Sequence, residues 1–313
     1  MRSAVELPAE LLSYAERGPA WASWLDGLPR LVADVLDEWE LTVDGPPWHG
    51  FCALVLPVLQ ADGVPAVAKF SWMHEEQEHE HLGLQAWHGD GIVRLYRADP
   101  ARGVMLLERL DGNTTLETVE DVEACTITAA FYPRLHIPAL PQLRTLSSYI
   151  TRWTSNLERL DHAAPIPRRL VEQAVSLGRE FVADPGTDGR MIHGDLHYEN
   201  VLAAPAAVER GRGPWLVIDP KPMSGDPHYE VAPLLWNRFD EVLAFGHVRD
   251  AVRRRFHAVV DTADLAEDRA RDWIVVRMVH NAMWCVEDNP HGFDAEEQAY
   301  LTMCITLAKA VQD

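Results

Sequence analysis

Apolar residues recur every three or four positions at the start of the chain and then give way to apolar runs separated by turns. The first spacing predicts helices over residues 7–17 and 21–39. The runs predict strands over 51–59 and 64–70, joined by a turn that contains Asp-Gly, a dipeptide typical of tight hairpins. The chain is therefore predicted to begin with helices and to continue into an antiparallel sheet.

Helical spacing predominates from residue 73 onward, with two further strands near its beginning. An acidic helix is predicted over 73–88, and apolar runs predict strands over 92–97 and 104–110. Gly112 then marks a break, because glycine interrupts regular elements. The remaining helices are predicted over 119–136, 146–160, 168–183, 231–245, 248–260, 265–286 and 295–311.

One polar loop in this helical region has short apolar strands around it. The motif HGDLHYEN at 193–200 is followed by an apolar run, by a loop rich in Pro, Gly and Arg, and by a second apolar run that leads to Asp219. Two strands joined in this way form a hairpin, so their ends lie side by side. The hairpin would bring Asp195, Asn200 and Asp219 into one small volume.

These three side chains are of the types that phosphoryl transfer requires. Its transition state needs positioning and charge neutralisation more than covalent catalysis. Asp195 would orient the acceptor hydroxyl and take its proton, while Asn200 and Asp219 would supply oxygen ligands to Mg²⁺. Asp and Asn also form ordinary turns. The apolar strands on both sides of the motif favour the catalytic interpretation over a structural turn.

The motif at 193–200, taken with Ile218-Asp219, resembles the aminoglycoside phosphotransferase family, whose members share their fold with protein kinases. Longer strings at 195–204, 217–220, 225–227 and 284–288 resemble the streptomycin 6-kinase and hydroxyurea phosphotransferase branch of that family. The similarity extends from about residue 21 to the C-terminal helices.

The resemblance implies an α+β, protein-kinase-like fold with two lobes. A small N-terminal lobe over residues 1–111, built on an antiparallel sheet, would bind the nucleotide. A mainly helical C-terminal lobe over 112–313 would carry the catalytic loop and the acceptor site. The 313 residues of the chain are enough for two lobes with a hydrophobic core.

The resemblance also implies that Lys69, on the second predicted strand, contacts the nucleotide phosphates. The alternative is an edge-strand lysine that reaches solvent. An acidic residue of the following helix would aim Lys69 through an ion pair, with Glu76 at the position that matches the family and Glu80 as the alternative. No Gly-x-Gly-x-x-Gly loop precedes Lys69, and residues 44–50 stand where a phosphate-covering loop would be.

The linker between the lobes would follow the strand predicted over 104–110. The resemblance implies that its backbone, from Glu108 to Leu110, bonds to the adenine edge of ATP. Backbone recognition requires no particular side chain, so the same residues also fit an ordinary strand end.

The acceptor site is expected near the end of the helix predicted over 265–286. Trp284, Glu287 and Asp288 combine an aromatic ring with two acids, which suits a cationic, hydroxylated ligand. Acids near a helix C-terminus are locally unfavourable, which favours a role in binding. A solvent-exposed helix end is the alternative interpretation.

The overall charge narrows the range of partners. The chain has 28 Lys and Arg against 48 Asp and Glu, a formal net charge of −20, which disfavours nucleic acid and anionic membrane surfaces. Its four cysteines lie far apart, the N-terminus lacks the pattern of a signal peptide, and no apolar run reaches the length of a membrane span. A cytoplasmic location is expected, and the sequence does not indicate an oligomeric state.

Together these features predict an enzyme that uses ATP and Mg²⁺ to phosphorylate a hydroxyl of a small-molecule antibiotic. The resemblance points to an aminoglycoside such as streptomycin, or to hydroxyurea. A small-molecule kinase with a metabolic acceptor is one alternative, and a catalytically silent binding protein with the same fold is another. The presence of Lys69, Asp195, Asn200 and Asp219 argues against a silent protein.

Overall fold

The chain folds into two compact units that are not contiguous in sequence. The structure is a computed structural model that describes residues 5–75 and 77–312. The first unit contains the chain up to Asp111 and also the segment Ala204–Arg212. The second unit contains Gly112–Ala203 and the chain from Gly213 onward. The chain therefore passes from one unit to the other three times.

The strands are short except for one central hairpin. They are β1 (Thr42–Val43), β2 (Trp48–His49), β3 (Ala53–Leu59), β4 (Pro65–Ser71), β5 (Leu95–Asp99), β6 (Val104–Glu108), β7 (Asp111–Thr115), β8 (Arg190–Ile192), β9 (Val201–Ala203), β10 (Trp215–Val217) and β11 (Met223–Gly225).

Helices dominate the second unit. In the whole described chain they are α1 (Ala9–Ser13), α2 (Pro19–Glu38), α3 (Glu80–Trp87), α4 (Asp121–Ala129), α5 (Tyr132–Leu135), α6 (Leu146–Glu158), α7 (Arg168–Ala183), α8 (Pro205–Val208), α9 (Pro233–Trp236), α10 (Phe239–Ala244), α11 (Val248–Ala263), α12 (Glu267–Asp288) and α13 (Ala295–Ala310). Short 3₁₀ turns cover Tyr14–Arg17, Leu116–Thr118, Pro185–Thr187, Tyr198–Asn200 and Pro227–Val231.

The first unit is built on an antiparallel sheet in the order β1-β3-β4-β6-β5, with β2 also paired to β3. Its centre is the β3–β4 hairpin, and the predicted Asp-Gly turn joins the two strands. Gly63 adopts a φ of 81°, and its N–H donates to the Gln60 carbonyl at 2.8 Å. The apolar face of α2 packs on this sheet in one core with Leu54, Leu56 and Phe70. The apolar spacing that predicted a helix over residues 21–39 is thus explained by this core.

The second unit has its core around Trp273 of α12. The ring of Phe181 stacks on Trp273 with centroids 3.8 Å apart, and Tyr229 meets Trp273 edge-on. Two small antiparallel pairs, β8 with β11 and β9 with β10, lie in the same unit. The β9–β10 pair confirms the hairpin predicted from the sequence. Its register places Val201 opposite Val217.

Three predicted helices are shorter or more broken than expected. The helix predicted over 73–88 begins at Glu80, and the described residues before it form turns. Acidic side chains three positions apart, such as Glu75 and Glu78, repel one another and oppose an earlier start. The helix predicted over 119–136 breaks between α4 and α5, next to Pro133. Proline lacks the N–H that a continuous helix needs.

The helix predicted over 231–245 is divided into a 3₁₀ turn, α9 and α10. Pro233 starts α9, and Arg238 adopts a left-handed φ of 55° just before α10. Residues 112–115, expected as a break, instead belong to strand β7, which pairs with β9. The tendency of Gly112 to interrupt a strand was outweighed by the pairing of β7 with β9, which is distant in sequence.

Candidate active site

The catalytic loop predicted at 193–200 lies between β8 and β9 in the second unit. The amide nitrogen of Asn200 donates to the backbone carbonyl of Asp195 at 2.8 Å. The N–H of Ile218 donates to the carbonyl of Asn200 at 2.9 Å. These two bonds join the loop to the chain immediately before Asp219. The structure therefore brings together the three residues that the sequence predicted to be neighbours.

The hydrogen bond of Asn200 fixes how its amide group is turned. A carbonyl oxygen accepts only, so the Asn200 nitrogen must face Asp195, and the side-chain oxygen points elsewhere. Asn200 is 8% exposed. Asp219 has a left-handed φ of 55°, a conformation that Asp tolerates better than most residues. An amide side chain and a carboxylate, both of which carry oxygen atoms of the kind that a hard cation prefers, thus stand at this end of the hairpin.

These two oxygen ligands fit magnesium. Among residues 5–75 and 77–312, no three or more His, Cys, Asp or Glu side chains cluster as a metal site. Mg²⁺ commonly uses one or two protein oxygens and completes its shell with water and substrate phosphates. The donor set of Asn200 and Asp219 matches that pattern, and it does not match a zinc site.

His193 holds the start of the loop as a neutral side chain. Its Nε2 lies 2.9 Å from the Ile218 carbonyl, and its Nδ1 lies 3.3 Å from the Asp195 N–H. Because the first partner only accepts and the second only donates, Nε2 carries the proton and Nδ1 does not. Burial lowers the pKa of His193, despite the opposing charge of Glu230. His193 therefore orients the loop through two hydrogen bonds.

Gly194 requires both its missing side chain and its backbone conformation. Its φ is 85°, and a Cβ there would clash with the carbonyl oxygen of Lys221. Its N–H donates to Glu230 Oε1 at 2.7 Å, and its carbonyl accepts from Arg277 Nη2 at 3.0 Å. Both peptide groups of Gly194, the residue before Asp195, are therefore fixed by buried charged side chains.

Glu230 is the buried anchor of this loop, and sequence analysis missed it. It is 0% exposed, and its second oxygen lies 2.7 Å from His136 Nε2. Burial alone would raise the pKa of Glu230, but the bond and charge of His136, with the Gly194 N–H, lower it below its ordinary value. The sequence offered one indication, a Glu next to the apolar run 231–235. An acid at such a position is expected to be buried, and a buried acid requires partners.

Lys221 is a second functional candidate that the sequence did not reveal. Its Nζ donates to Asp195 Oδ2 at 2.5 Å, and its N–H donates to the His193 carbonyl at 2.8 Å. Burial would raise the pKa of Asp195, but the charge of Lys221 and its hydrogen bond to the carboxylate outweigh burial and lower the pKa. Asp195 is therefore ionised at neutral pH. The sequence indicated Lys221 only through its position, two residues after Asp219.

We expect Lys221→Met to shift the pH dependence of activity toward higher pH. The variant removes the main charge that lowers the pKa of Asp195 and leaves the opposing effect of burial. The acidic limb of the kcat/KM profile, which reports protonation of the base, should move upward. A profile of kcat/KM between pH 4 and 9 measures the limb. An unchanged limb would show that Lys221 does not control this carboxylate.

His197 lies beside the base without a hydrogen bond at one ring nitrogen. Its Nδ1 is buried and has no hydrogen-bond partner among the described residues, and Glu199 Oε2 lies 3.8 Å from it. Burial lowers the pKa of His197. A neutral imidazole is suited to positioning the loop and not to acting as an acid.

The first unit contains a buried ion pair that involves Lys69. Its Nζ lies 2.7 and 2.8 Å from the two oxygens of Glu80, and both residues are almost fully buried. Lys69 pairs across the sheet with Val55 and Met105, so it is on a central strand and not at an edge. Glu80, the alternative partner named above, is the observed one. Glu76 lies outside the described residues.

A tight turn connects β2 to β3, the strand that pairs with the strand of Lys69. Residues 44–50 were expected to form a phosphate cover, but Trp48 and His49 pair with β3 as strand β2. The turn itself is formed by residues 50–52, with the Gly50 N–H donating to the Ala53 carbonyl at 2.9 Å. Phe51 at its tip is 69% exposed. Whether this turn covers the nucleotide phosphates stays a prediction.

Glu108 has a structural role that the sequence did not predict. Both oxygens of its buried carboxylate lie 2.7 Å from Arg212 Nη1, and one accepts from the Arg94 N–H. Its own N–H donates to the Arg94 carbonyl at 2.9 Å. Leu110 lies just beyond β6 and is half-buried. The predicted contact of this backbone with adenine remains a prediction.

The predicted acceptor residues lie together at the end of α12. Trp284 is half-buried, while Glu287 and Asp288 are exposed. Trp284 packs edge-on against Trp153 of α6, with ring centroids 4.8 Å apart. The three residues thus lie within the last five positions of α12, and the two acids face solvent.

The fold and these residues define a kinase-like phosphotransferase, with a lysine–glutamate pair in one unit and an Asp-Asn-Asp loop in the other. Choline kinase LicA from Streptococcus pneumoniae has the same fold, with a TM-score of 0.57 and 16% sequence identity over 90% of this chain and 99% of that one.

The chain belongs to the aminoglycoside/hydroxyurea antibiotic resistance kinase family, whose model matches residues 38–289. It is 40% identical to streptomycin 6-kinase of Streptomyces glaucescens, over 98% of this chain and 97% of that protein. It is 38% identical to hydroxyurea phosphotransferase of Kitasatospora aureofaciens, over 94% of this chain and 84% of that protein. The resemblance inferred from residues 193–200 and 218–219 is confirmed. No described helix meets the length and apolarity needed to cross a membrane.

Proposed function

We propose that this protein transfers the γ phosphate of ATP to a hydroxyl of an aminoglycoside antibiotic such as streptomycin. The observation that carries the proposal is the loop in which Asn200 is bonded to Asp195 and the adjoining strand leads to Asp219. The two catalytic functions of a kinase, a base for the acceptor and ligands for a metal, then lie within one hairpin.

Each residue has one role in this proposal. Asp195 orients the acceptor hydroxyl and takes its proton late in the reaction, as suits a carboxylate with a lowered pKa. Asn200 and Asp219 hold Mg²⁺, which would neutralise charge on the phosphates. Lys69, fixed by Glu80, contacts the phosphates.

The adenine ring completes the nucleotide site in the proposal. The backbone between Glu108 and Leu110 bonds to its edge, so the first unit binds the nucleotide and the second carries out the chemistry. The buried Glu108–Arg212 pair supports this by holding the end of β6 in place.

Two acceptors follow from the relatives. The 40% identity to a streptomycin 6-kinase favours streptomycin, and the 38% identity to a hydroxyurea phosphotransferase makes hydroxyurea the second candidate. The net charge of −20 agrees with a cationic acceptor, although it also promotes solubility.

The test is to incubate the protein with ATP, Mg²⁺ and a panel containing streptomycin, hydroxyurea and other hydroxylated small molecules. Mass spectrometry should detect the gain of one phosphate on streptomycin. Parallel reactions with EDTA should give no product, because the phosphates would lack their metal. Transfer only to a molecule without antibiotic activity would overturn the proposed acceptor, and equal turnover in EDTA would overturn the metal assignment.

A further inference from the structure

Four aromatic side chains of the second unit form a cluster between α6 and α12. Tyr149 and Trp153 are four residues apart on α6, and His280 and Trp284 are four residues apart on α12, so each pair shares a helix face. The Tyr149 and Trp153 centroids are 5.9 Å apart, and those of His280 and Trp284 are 6.4 Å apart. The two tryptophans meet at the centre of this cluster.

Three buried nitrogens of the cluster have no hydrogen-bond partner within the described chain: Nε1 of Trp153, Nε1 of Trp284 and Nε2 of His280. An indole N–H normally has an acceptor when it is buried, because leaving it unsatisfied is unfavourable. Trp273 in the same unit follows this rule and donates to Asp226 at 2.6 Å. Three of the four aromatic rings in the cluster therefore carry a buried nitrogen that has no hydrogen-bond partner among the described residues.

His280 is the most deeply buried member of the set. It is 1% exposed, and burial lowers its pKa to about 3. The imidazole is therefore neutral, and it adds no charge that would repel a cationic ligand.

Helix α12 connects this cluster to the catalytic loop. Arg277 donates to the carbonyl of Gly194, the residue before Asp195. His280 and Trp284 follow Arg277 by three and seven positions, so they lie on the same face of the helix. Seven residues advance about 10 Å along the axis. Glu287 continues this face into solvent.

We propose that Trp153 and Trp284 form an acceptor-binding subsite, in which their indole N–H groups donate to hydroxyl or ether oxygens of the acceptor. Glu287 and Asp288, at the end of the same helix, receive its cationic groups. This inference rests on the proposed function. An acceptor of several hydroxylated rings can extend over the rise of about 10 Å along α12 that separates Trp284 from Arg277, whose side chain contacts the catalytic loop. Hydroxyurea is too small to do so, so the subsite selects large, cationic, polyhydroxylated acceptors.

The test compares Trp153→Phe and Trp284→Phe with wild type, since phenylalanine keeps an aromatic ring but removes the N–H. Calorimetric titration with streptomycin, without nucleotide, should show Kd increased about two- to tenfold in each variant, the effect of one neutral hydrogen bond. The KM for ATP and, if it is a substrate, the KM for hydroxyurea should not change. Trp24→Phe, in the core of the first unit, is the matched control and should bind as wild type.

A second variant does not depend on repacking the cluster. Glu287→Gln with Asp288→Asn changes two exposed side chains, and it should raise the Kd for streptomycin about tenfold or more, with a weaker dependence on salt. If all variants bind streptomycin as wild type does, the subsite is overturned and the proposed function stands. If they lose affinity but wild type never phosphorylates streptomycin, the subsite is supported and the proposed function fails.

Discussion

Asp195→Asn is expected to lower kcat for acceptor phosphorylation about 10²–10⁴-fold, the usual effect of losing a general base. Asparagine keeps the shape of the side chain and can still hydrogen-bond, but it cannot take the proton of the acceptor hydroxyl. Binding of Mg²⁺ and ATP should remain, because the base contacts the acceptor and not the phosphates. Steady-state kinetics and nucleotide titration on the same preparation measure both effects.

Asp219→Asn provides the comparison for this result. It removes a proposed metal ligand, so it should reduce turnover and weaken magnesium-dependent ATP binding together. His197→Ala should be milder than either, since that ring only positions the loop. Wild-type turnover in Asp195→Asn would refute the catalytic assignment of the loop at 193–200.

Glu230→Ala is expected to lower the free energy of unfolding more than single substitutions within the loop at 193–200, which Glu230 holds in place. It leaves the Gly194 N–H and His136 without their charged acceptor in a fully buried site. Two such bonds, each contributing about 1.5–3 kcal/mol, give a loss on the order of 3–6 kcal/mol in the free energy of unfolding. Urea denaturation of the variant and of wild type measures the difference.

The exposed Glu209 offers a control, because Glu209→Ala should change stability by less than about 0.5 kcal/mol. The pH dependence gives a separate check. The folded pKa of Glu230 is lowered, so its stabilisation is present above the ordinary value of about 4.3 and is lost as the pH falls through the folded pKa. Wild type should therefore lose more stability in acid than Glu230→Ala. Equal acid sensitivity would contradict the role of this carboxylate.

Elements specified by local sequence were predicted well. The Asp-Gly turn and its two apolar strands indicated the β3–β4 hairpin, and strong helical spacing gave α7 over Arg168–Ala183, the range expected. The proximity of Asp195, Asn200 and Asp219 was also predicted, because these residues have informative spacing and stand next to strands, while their catalytic role stays a prediction. In each case the residues that determine the structure are close in sequence.

Features that depend on distant partners were missed. Glu230 and Arg277 both bind Gly194, from 36 and 83 positions away. Nothing local in the sequence specifies those contacts, although a charged residue within an apolar stretch indicates that some partner is needed. The start of α3 was missed for the same reason. Glu80, the first residue of that helix, is buried in an ion pair with Lys69, which is on a different element.

The segment Ala204–Arg212 has a consequence for how this protein folds during synthesis. Arg212 supplies the guanidinium for the buried Glu108 carboxylate, which lies 104 positions earlier in the chain. Domains usually fold as units while the ribosome extends the chain, the N-terminal one first. Here the first unit lacks this ion pair until residue 212 has been made, after half of the second unit. A nascent chain that ends at Asp111 would hold Glu108 with the Arg94 N–H but without the guanidinium of Arg212, so the first unit cannot complete this buried ion pair from its N-terminal segment alone.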